Sequence, residues 1–142
     1  MPTLDTDEAR RRFADARGAR LATVGSDGHP HLVPVVFAVD HSDGDVVLVA
    51  VDQKPKRHRR LRRLDNIAAN PAVSLLADEY SDDWLRLWWV RADGTARVDD
   101  GSATVVRAQQ LLGARYRQHR DDPPGGPVIV IEIGRWSGWS AT

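Results

Sequence analysis

Cysteine is missing from this 142-residue chain. Its absence excludes disulfide bonds, catalysis by a thiolate, and zinc or iron–sulfur sites with cysteine ligands. Long apolar runs are missing too, since no stretch approaches the ~18 apolar residues of a membrane-spanning helix. The N-terminal segment MPTLDTDEARRR lacks the apolar core of a signal peptide. We therefore expect a cytoplasmic protein without a membrane segment.

The chain also has no net charge, because 20 basic residues balance 20 acidic ones. Domains that bind nucleic acid usually carry net positive charge, so this balance argues against a general nucleic-acid-binding protein. Hydrophobic residues make up 42% of the sequence, which predicts a compact fold. The length is that of one ordinary domain, and we expect residues 1–142 to form a single one.

Lysine is scarce, and both lysines lie in one stretch, KPKRHRRLRRLDN, at residues 54–66. The first ten residues of this stretch include seven lysines and arginines and no acid. Three interpretations compete: an arm that binds nucleic acid, a solvated helix face, and a socket for an anionic ligand. Its place among the predicted helices and strands helps to separate them.

Turn and capping signals divide the chain into short elements. Asp5 or Thr6 caps a predicted helix at 6–16, and a hairpin of strands 19–24 and 31–39 turns at 26–28. A second hairpin, in LRLWWVRADGTARV, turns at Asp93-Gly94. Helices are expected at 55–69 and 102–120, and strands at 46–52, 73–78 and 128–133. About six antiparallel strands with two or three helices outside predict an α+β fold with a closed or partly open β-barrel.

Helical periodicity divides the basic stretch into two sides. At ~100° per residue, Arg57 shares a stripe with Leu61, Leu64 and Ala68, so its side chain is predicted to point inward. Lys54 and its neighbours lie where a strand leads into a helix N-terminus, a position that favours anions. The inward cluster is Lys54, Lys56, Arg57 and Arg60. The opposite side, predicted to face water or a partner chain, carries Arg59, Arg62 and Arg63. Ion pairs with the acidic residues at 78–83 are the alternative for the inward cluster.

Four segments together resemble a known family. They are ARLATVGSDGHPHLVPVVF, KPK, LDNIAANPAVSLLADEY and WLRLWWVRADGTARV. In order and spacing they resemble the sequences of the flavin/deazaflavin oxidoreductase superfamily, which is also called the pyridoxamine-phosphate-oxidase-like split β-barrel group. The resemblance is strongest to the actinobacterial branch of F420-dependent enzymes. The resemblance implies a split β-barrel and a homodimer with two cofactor sites at the subunit interface.

The resemblance also implies which residues hold the cofactor. The deazaflavin ring is expected along the second strand, against the backbone of Val33, Pro34 and Val35. A proline within a strand independently indicates an edge or an opening in the sheet. The phosphate and acidic tail are expected at the inward basic cluster, with Arg63 as an alternative to Arg60. In this family the C-terminal segment lies near the partner's cofactor, which adds Trp136, with Arg135 and Trp139, to the candidates.

These residues lead to a function hypothesis with alternatives. The leading one is an oxidoreductase that uses reduced coenzyme F420 to transfer a hydride to a small conjugated substrate. FMN ranks second as the cofactor, because the strict arginine–lysine pattern of FMN-binding members is missing. The alternative class of function is a non-catalytic module that binds haem or another cofactor, or one that binds nucleic acid. Because such a cofactor carries the chemistry, no catalytic side chain is required, and none is predicted.

Histidines and tryptophans receive simpler interpretations. His29 and His31 share a strand face but lack a nearby third ligand, so we expect turn and surface histidines rather than a metal site. Trp84 and Trp88 are predicted on one strand face and Trp89 on the other, with one set in the core and the other set lining either the core or a dimer or substrate surface.

Overall fold

A computed structural model of the chain describes residues 3–51 and 61–142. Within these residues, seven strands form one antiparallel sheet, flanked by four α-helices. The helices are α1 (Thr6–Asp15), α2 (Arg62–Ala69), α3 (Ser102–Arg115) and α4 (Arg117–Asp121), and a 3₁₀ turn spans Trp84–Arg86. The strands are β1 (Ala19–Val24), β2 (Pro30–Val35), β3 (Ala38–Asp40), β4 (Val46–Ala50), β5 (Ala72–Glu79), β6 (Trp88–Asp99) and β7 (Val128–Ser140).

The sheet is curled into a split barrel. Its strand order is β2-β1-β5-β6-β7-β4-β3, so β2 and β3 lie at opposite edges. Only Val36 and Phe37 connect these two strands, and a link this short spans roughly 11 Å at most. The two edges must therefore approach each other at this point. The α+β split barrel predicted from the sequence is confirmed, but the predicted strand 31–39 is two strands, because Phe37 is fully buried where the chain crosses between the edges.

Two apolar clusters hold the barrel and its helices together. The larger one fills the inside of the sheet and includes Phe13 of α1 and Phe37, whose ring centroids lie 4.6 Å apart. The smaller one packs α3 against the outer side of β4, where Leu48 contacts the cluster of Leu112. Val47 and Val49 of the same strand face the inner cluster. Strand β4 is therefore covered on both faces, which accounts for its uninterrupted run of apolar residues.

The predicted hairpin at Asp93-Gly94 is wrong, because β6 runs through both residues without turning. The pairing of β6 with β7 shifts between them, and Gly134 is the extra residue on β7. A side chain at Gly94 would place its Cβ 2.4 Å from the backbone oxygen of Glu132. The glycine therefore permits close approach of two strands at a β-bulge rather than a tight turn.

Helix ends follow local signals where those signals are strong. The Asp5 side chain accepts a hydrogen bond from the Glu8 backbone N–H at 2.8 Å, which confirms the predicted cap of α1. The predicted helix 102–120 instead breaks at Tyr116 into α3 and α4, because the hydroxyl of this buried residue is held by backbone groups elsewhere. Trp84 lies in the 3₁₀ turn and is largely exposed, so it does not share a strand face with Trp88 as predicted.

None of the helices in the described part of the chain combines the length and the apolar character that crossing a membrane requires.

Candidate cofactor site

Strand β2 forms one edge of the sheet within the described residues. Its paired neighbour is β1, and its other side has no strand against it in that part of the chain. Pro34 lies within this edge strand with an exposed side chain, which confirms the edge position that its type predicts. Val33 and Val35 face the inner cluster instead. The backbone groups of β2 that point away from β1 are therefore available to a ligand.

A buried polar pair fixes α2 beside the β1–β2 hairpin. The Asn66 side-chain amide donates to the Thr23 hydroxyl oxygen over 3.0 Å, and both side chains are buried. A Cβ at Gly25 would lie 2.6 Å from Asn66 Oδ1, so the glycine makes room for the asparagine. This pair was not predicted, because Asn66 lies on the side of the helix opposite the predicted apolar stripe of Leu61, Leu64 and Ala68.

Arg63 lies one helical turn before Asn66 and is half-buried. Its Nε is shielded from solvent and has no hydrogen-bond partner among residues 3–51 and 61–142. Burial lowers the pKa of the Arg63 guanidinium, and no acidic group in the described part of the chain offsets that effect. Because arginine stays charged at physiological pH, this guanidinium is a desolvated cation without an acidic partner among residues 3–51 and 61–142.

The predicted outward orientation of Arg63 is wrong. The more buried side of α2 passes through Arg63, Asn66 and Ile67, whereas Ala68, assigned to the inward stripe, is exposed. The Asn66 bond to β1 sets this rotation of the helix. Arg62, the adjacent residue, is exposed as predicted. The other predicted phosphate ligands lie outside the described residues: Lys54, Lys56, Arg57 and Arg60.

His31 is opposite Thr23 across the β1–β2 pair. It is half-buried, and its Nδ1 has no contact with solvent and no hydrogen-bond partner in the described ranges. His29 is exposed in the turn, where its backbone N–H donates to Asp27 Oδ1 at 3.0 Å. The turn assignment is confirmed for His29, but His31 is not a surface residue as expected.

Trp136, the predicted C-terminal candidate, is held by contacts within its own chain. Its ring packs edge-on against Phe13 at 5.4 Å between centroids. Its indole Nε1 donates to Asp45 Oδ2 over 2.9 Å. Contact of Trp136 with a cofactor on a partner chain stays a prediction.

Asp45 joins three elements near the bulge of β7. Arg10 of α1 donates from Nη2 to Asp45 Oδ1 at 2.9 Å, and His41 Nδ1 lies 3.3 Å from the same oxygen. Burial opposes ionisation of Asp45, but the hydrogen bonds from Trp136, Arg10 and His41 outweigh it and lower the pKa of this carboxyl. The network fixes the middle of α1 and the C-terminal half of β7 relative to one another.

The described residues contain no group of three or more histidine, aspartate or glutamate side chains arranged to hold a metal ion. What they bring together is an open strand edge at Pro34, a polar cluster at Thr23, His31 and Asn66, and the unpaired Arg63 cation. This arrangement suits the binding of a planar group with an anionic tail, and such a group would carry the chemistry itself.

Comparison with known proteins agrees with the fold. The chain is 38% identical over 60 residues to 5a,11a-dehydrotetracycline/5a,11a-dehydrooxytetracycline reductase of Streptomyces rimosus, a match that covers 42% of this chain and 39% of that protein. The matched segment is thus well under two thirds of the reductase's own length.

Two solved structures share the architecture. A conserved hypothetical protein of Mycobacterium tuberculosis superimposes with a TM-score of 0.78 at 21% identity, over 97% of this chain and 86% of that one. A FAD-binding protein of Mesorhizobium loti gives a TM-score of 0.71 at 23% identity, over 99% and 97% of the two chains. The pattern of the family described as Pyridoxamine 5'-phosphate oxidase matches residues 5–140. Because this match spans nearly all of the sequence, the chain belongs to the pyridoxamine 5'-phosphate oxidase family.

Proposed function

We propose that this protein is an oxidoreductase that binds reduced coenzyme F420 and reduces a small conjugated substrate. The observation that carries the proposal is Arg63, a desolvated guanidinium whose Nε has no hydrogen-bond partner in the described residues. A cofactor phosphate would supply the missing anion, and each charge-assisted hydrogen bond to it contributes about 1.5–3 kcal/mol. Lys54, Lys56, Arg57 and Arg60 are proposed to bind the rest of the acidic tail.

The edge strand is suited to the flat part of the same cofactor. Backbone N–H and C=O groups on the free side of β2 can pair with the polar edge of a planar ring, and Pro34 itself offers no N–H. The exposed apolar side chains of this strand exclude water from the ring's neighbourhood. Reduced F420 supplies the hydride when bound, so the protein's part is to bind, orient and desolvate the reactants.

We also propose a homodimer with the cofactor at the interface. The outer face of the sheet exposes Leu32 and Leu76, which are 66% and 39% accessible. Exposed apolar side chains on a sheet face are typical of a surface that contacts another protein. The test is sedimentation velocity: Leu32→Glu is expected to shift a dimer to a monomer, and a wild-type monomer would contradict this part of the proposal.

The similarity to a reductase over part of the chain supports oxidoreductase chemistry, and the matched FAD-binding structure supports a flavin-type cofactor. FMN therefore stays the second candidate, and haem the third. A matched pair of variants, Arg63→Gln and Arg62→Gln, separates cofactor binding from general charge. The two arginines are adjacent on α2, but only Arg63 is half-buried.

Titration of the purified protein with oxidised F420, FMN and haem provides the test. We expect saturable F420 binding that weakens about 10- to 150-fold in Arg63→Gln, from the loss of one charge-assisted hydrogen bond, and stays unchanged in Arg62→Gln. Tight FMN binding without F420 binding would overturn the choice of cofactor. Equal effects of the two variants would overturn the assignment of Arg63.

A further inference from the structure

A second concave surface lies along the C-terminal half of β7, between Trp89 of β6 and the N-terminal residues Thr3 and Leu4. It has a volume of about 710 Å³ and is open to solvent on one side. Its lining includes three tryptophans, one arginine and one serine: Trp89, Trp136, Trp139, Arg135 and Ser137. The indole N–H of Trp136 is already engaged by Asp45, which leaves Trp89 and Trp139 as the aromatic pair considered next. In the strand order of the sheet, β1 and β5 lie between β6 and β2. None of the sequence motifs assigned to the F420 phosphate contributes to it.

The two tryptophans form a cross-strand pair. Trp89 of β6 is directly opposite Trp139 of β7. The next residues, Val90 and Gly138, are buried towards the inside of the barrel, so alternation places both indoles on the outer face. Residues directly opposite in an antiparallel pair have their Cβ atoms ~4.5–5.5 Å apart. The pair therefore presents a continuous aromatic surface to a flat ring.

Arg135 supplies a positive charge at the other end of this surface. It is exposed and makes no ion pair within the described residues. Its cross-strand neighbour Asp93 is engaged elsewhere, since its carboxylate accepts from Ser74 Oγ at 2.6 Å and from Arg91 Nε at 3.2 Å. The positive charge of Arg135 is thus not neutralised by the nearest acid on its face.

Ser137 lies between the charge and the aromatic pair. Its hydroxyl oxygen is shielded and has no hydrogen-bond partner in the described part of the chain. Arg135, Ser137 and Trp139 occupy alternate positions of β7 and so share one face. At ~3.4 Å per residue, the three follow one another over about 14 Å. The surface thus carries the Arg135 cation at one end, the Ser137 hydroxyl in the middle and the Trp139 indole at the other end.

We propose that this surface binds a planar aromatic anion, a ring system of two or more fused rings that carries a carboxylate or an ionised phenol. The ring packs on Trp89 and Trp139, and its anionic group contacts Arg135. This binding site is additional to the proposed cofactor site on β2, and the binding of such an anion does not rest on the proposed function.

The binding test uses 2-naphthoate and its uncharged analogue 2-naphthamide, titrated calorimetrically into the full-length protein. We expect saturable binding of one naphthoate per chain, with the amide weaker by about tenfold or more because it lacks the charge. Arg135→Gln removes this preference and leaves amide binding unchanged. Trp89→Leu weakens both ligands. Arg117→Gln, which alters an exposed arginine of α4, leaves both unchanged.

Nuclear magnetic resonance locates the ligand independently. Among the indole N–H signals of the five tryptophans, those of Trp89 and Trp139 are expected to shift with naphthoate. Any of four results would overturn the proposal. Naphthoate and naphthamide could bind equally well, or naphthoate could fail to bind saturably. Arg135→Gln could keep the preference for naphthoate, or the shifts could be confined to other tryptophans. F420 titration of the same samples is a separate readout, so failure of F420 binding would contradict the reductase and leave the naphthoate result standing.

Discussion

Tyr116 donates its hydroxyl proton to the backbone oxygen of Arg17 over 3.1 Å. The same hydroxyl oxygen accepts a hydrogen bond from the backbone N–H of Phe37 at 3.4 Å. Phe37 belongs to the short link that joins the two sheet edges, and Arg17 follows α1. One buried phenol therefore connects the helical layer to the point where the barrel closes.

Replacement of Tyr116 by phenylalanine should destabilise the fold. The ring keeps its packing, but the buried Phe37 N–H and the Arg17 carbonyl lose their partner, at a cost of about 1–3 kcal/mol. Denaturant unfolding at one fixed protein concentration measures the change. Tyr80→Phe, at a residue that is 75% exposed, is the control and should stay within about 0.5 kcal/mol of wild type. Equal stabilities of the two variants would contradict the prediction.

Gly25→Ala should destabilise the protein through a clash with one atom. The new Cβ would lie 2.6 Å from Asn66 Oδ1, which forces a shift that costs about 1–3 kcal/mol. In the double variant with Asn66→Ala the clash disappears, so the combined loss should be smaller than the sum of the single losses. Gly125→Ala is the control, because nothing lies within 4 Å of its Cβ position. Additive losses in the cycle would show that the clash is not the cause.

Arg63→Met should stabilise the ligand-free protein while it weakens cofactor binding. The variant replaces a desolvated cation with an apolar side chain of similar length, a change worth on the order of 1 kcal/mol in the free energy of unfolding. Arg62→Met, at the exposed neighbour, should change stability little. Thermal unfolding with and without F420 measures both effects. A less stable ligand-free Arg63→Met protein would indicate that the guanidinium is satisfied within the fold.

Acid should weaken the contact between β3 and α3 through Asp40. Arg107 donates to both carboxylate oxygens of Asp40 at 3.1 Å, and this contact, with help from the Ser42 backbone N–H, holds the pKa of Asp40 well below its ordinary value of 3.8. Because the folded pKa is the lower one, the stabilisation is fully present above pH 3.8 and is lost as the pH falls below it towards the folded pKa.

The measurement is the free energy of unfolding against pH for wild type and Asp40→Asn. The advantage of wild type should be constant at neutral pH and shrink below pH 3.8. Asp43→Asn, an exposed acid in the same turn, is the matched control and should leave stability within about 0.5 kcal/mol at neutral pH. An advantage that grows in acid would have the wrong sign for a lowered pKa.

Local signals were sufficient for the elements that depend on near neighbours in sequence. The cap of α1 and the β1–β2 hairpin follow from side chains a few residues apart, and β4 followed from its apolar residues. The Asp93-Gly94 turn failed because the same dipeptide suits a bulge, and only the partner strand decides between them. The division of 31–39 failed for a similar reason, since the barrel closure that separates β2 from β3 is a property of the whole sheet.

The candidate site was predictable to the extent that composition and family resemblance define it. The edge position of Pro34 followed from the missing N–H. The orientation of Arg63 did not, because the rotation of α2 is set by Asn66 and Thr23, residues far apart in sequence. Helical periodicity in the sequence carries no information about a hydrogen bond between a helix and a distant strand. Trp139 was a candidate from the family resemblance, but its pairing with Trp89 was not predictable, because the register of two distant strands creates it.

The two-residue link between β2 and β3 has a consequence for how the chain folds. Neighbours in sequence occupy the two ends of the sheet, so the sheet cannot grow by adding each new strand to the one before. Strand β1 is paired on both sides only after β5 has added to it, and β4 only after β7 has added to it. Such distant pairings raise the contact order, and folding on a scale of roughly milliseconds to seconds is expected, with apolar strand edges open to other chains in the meantime.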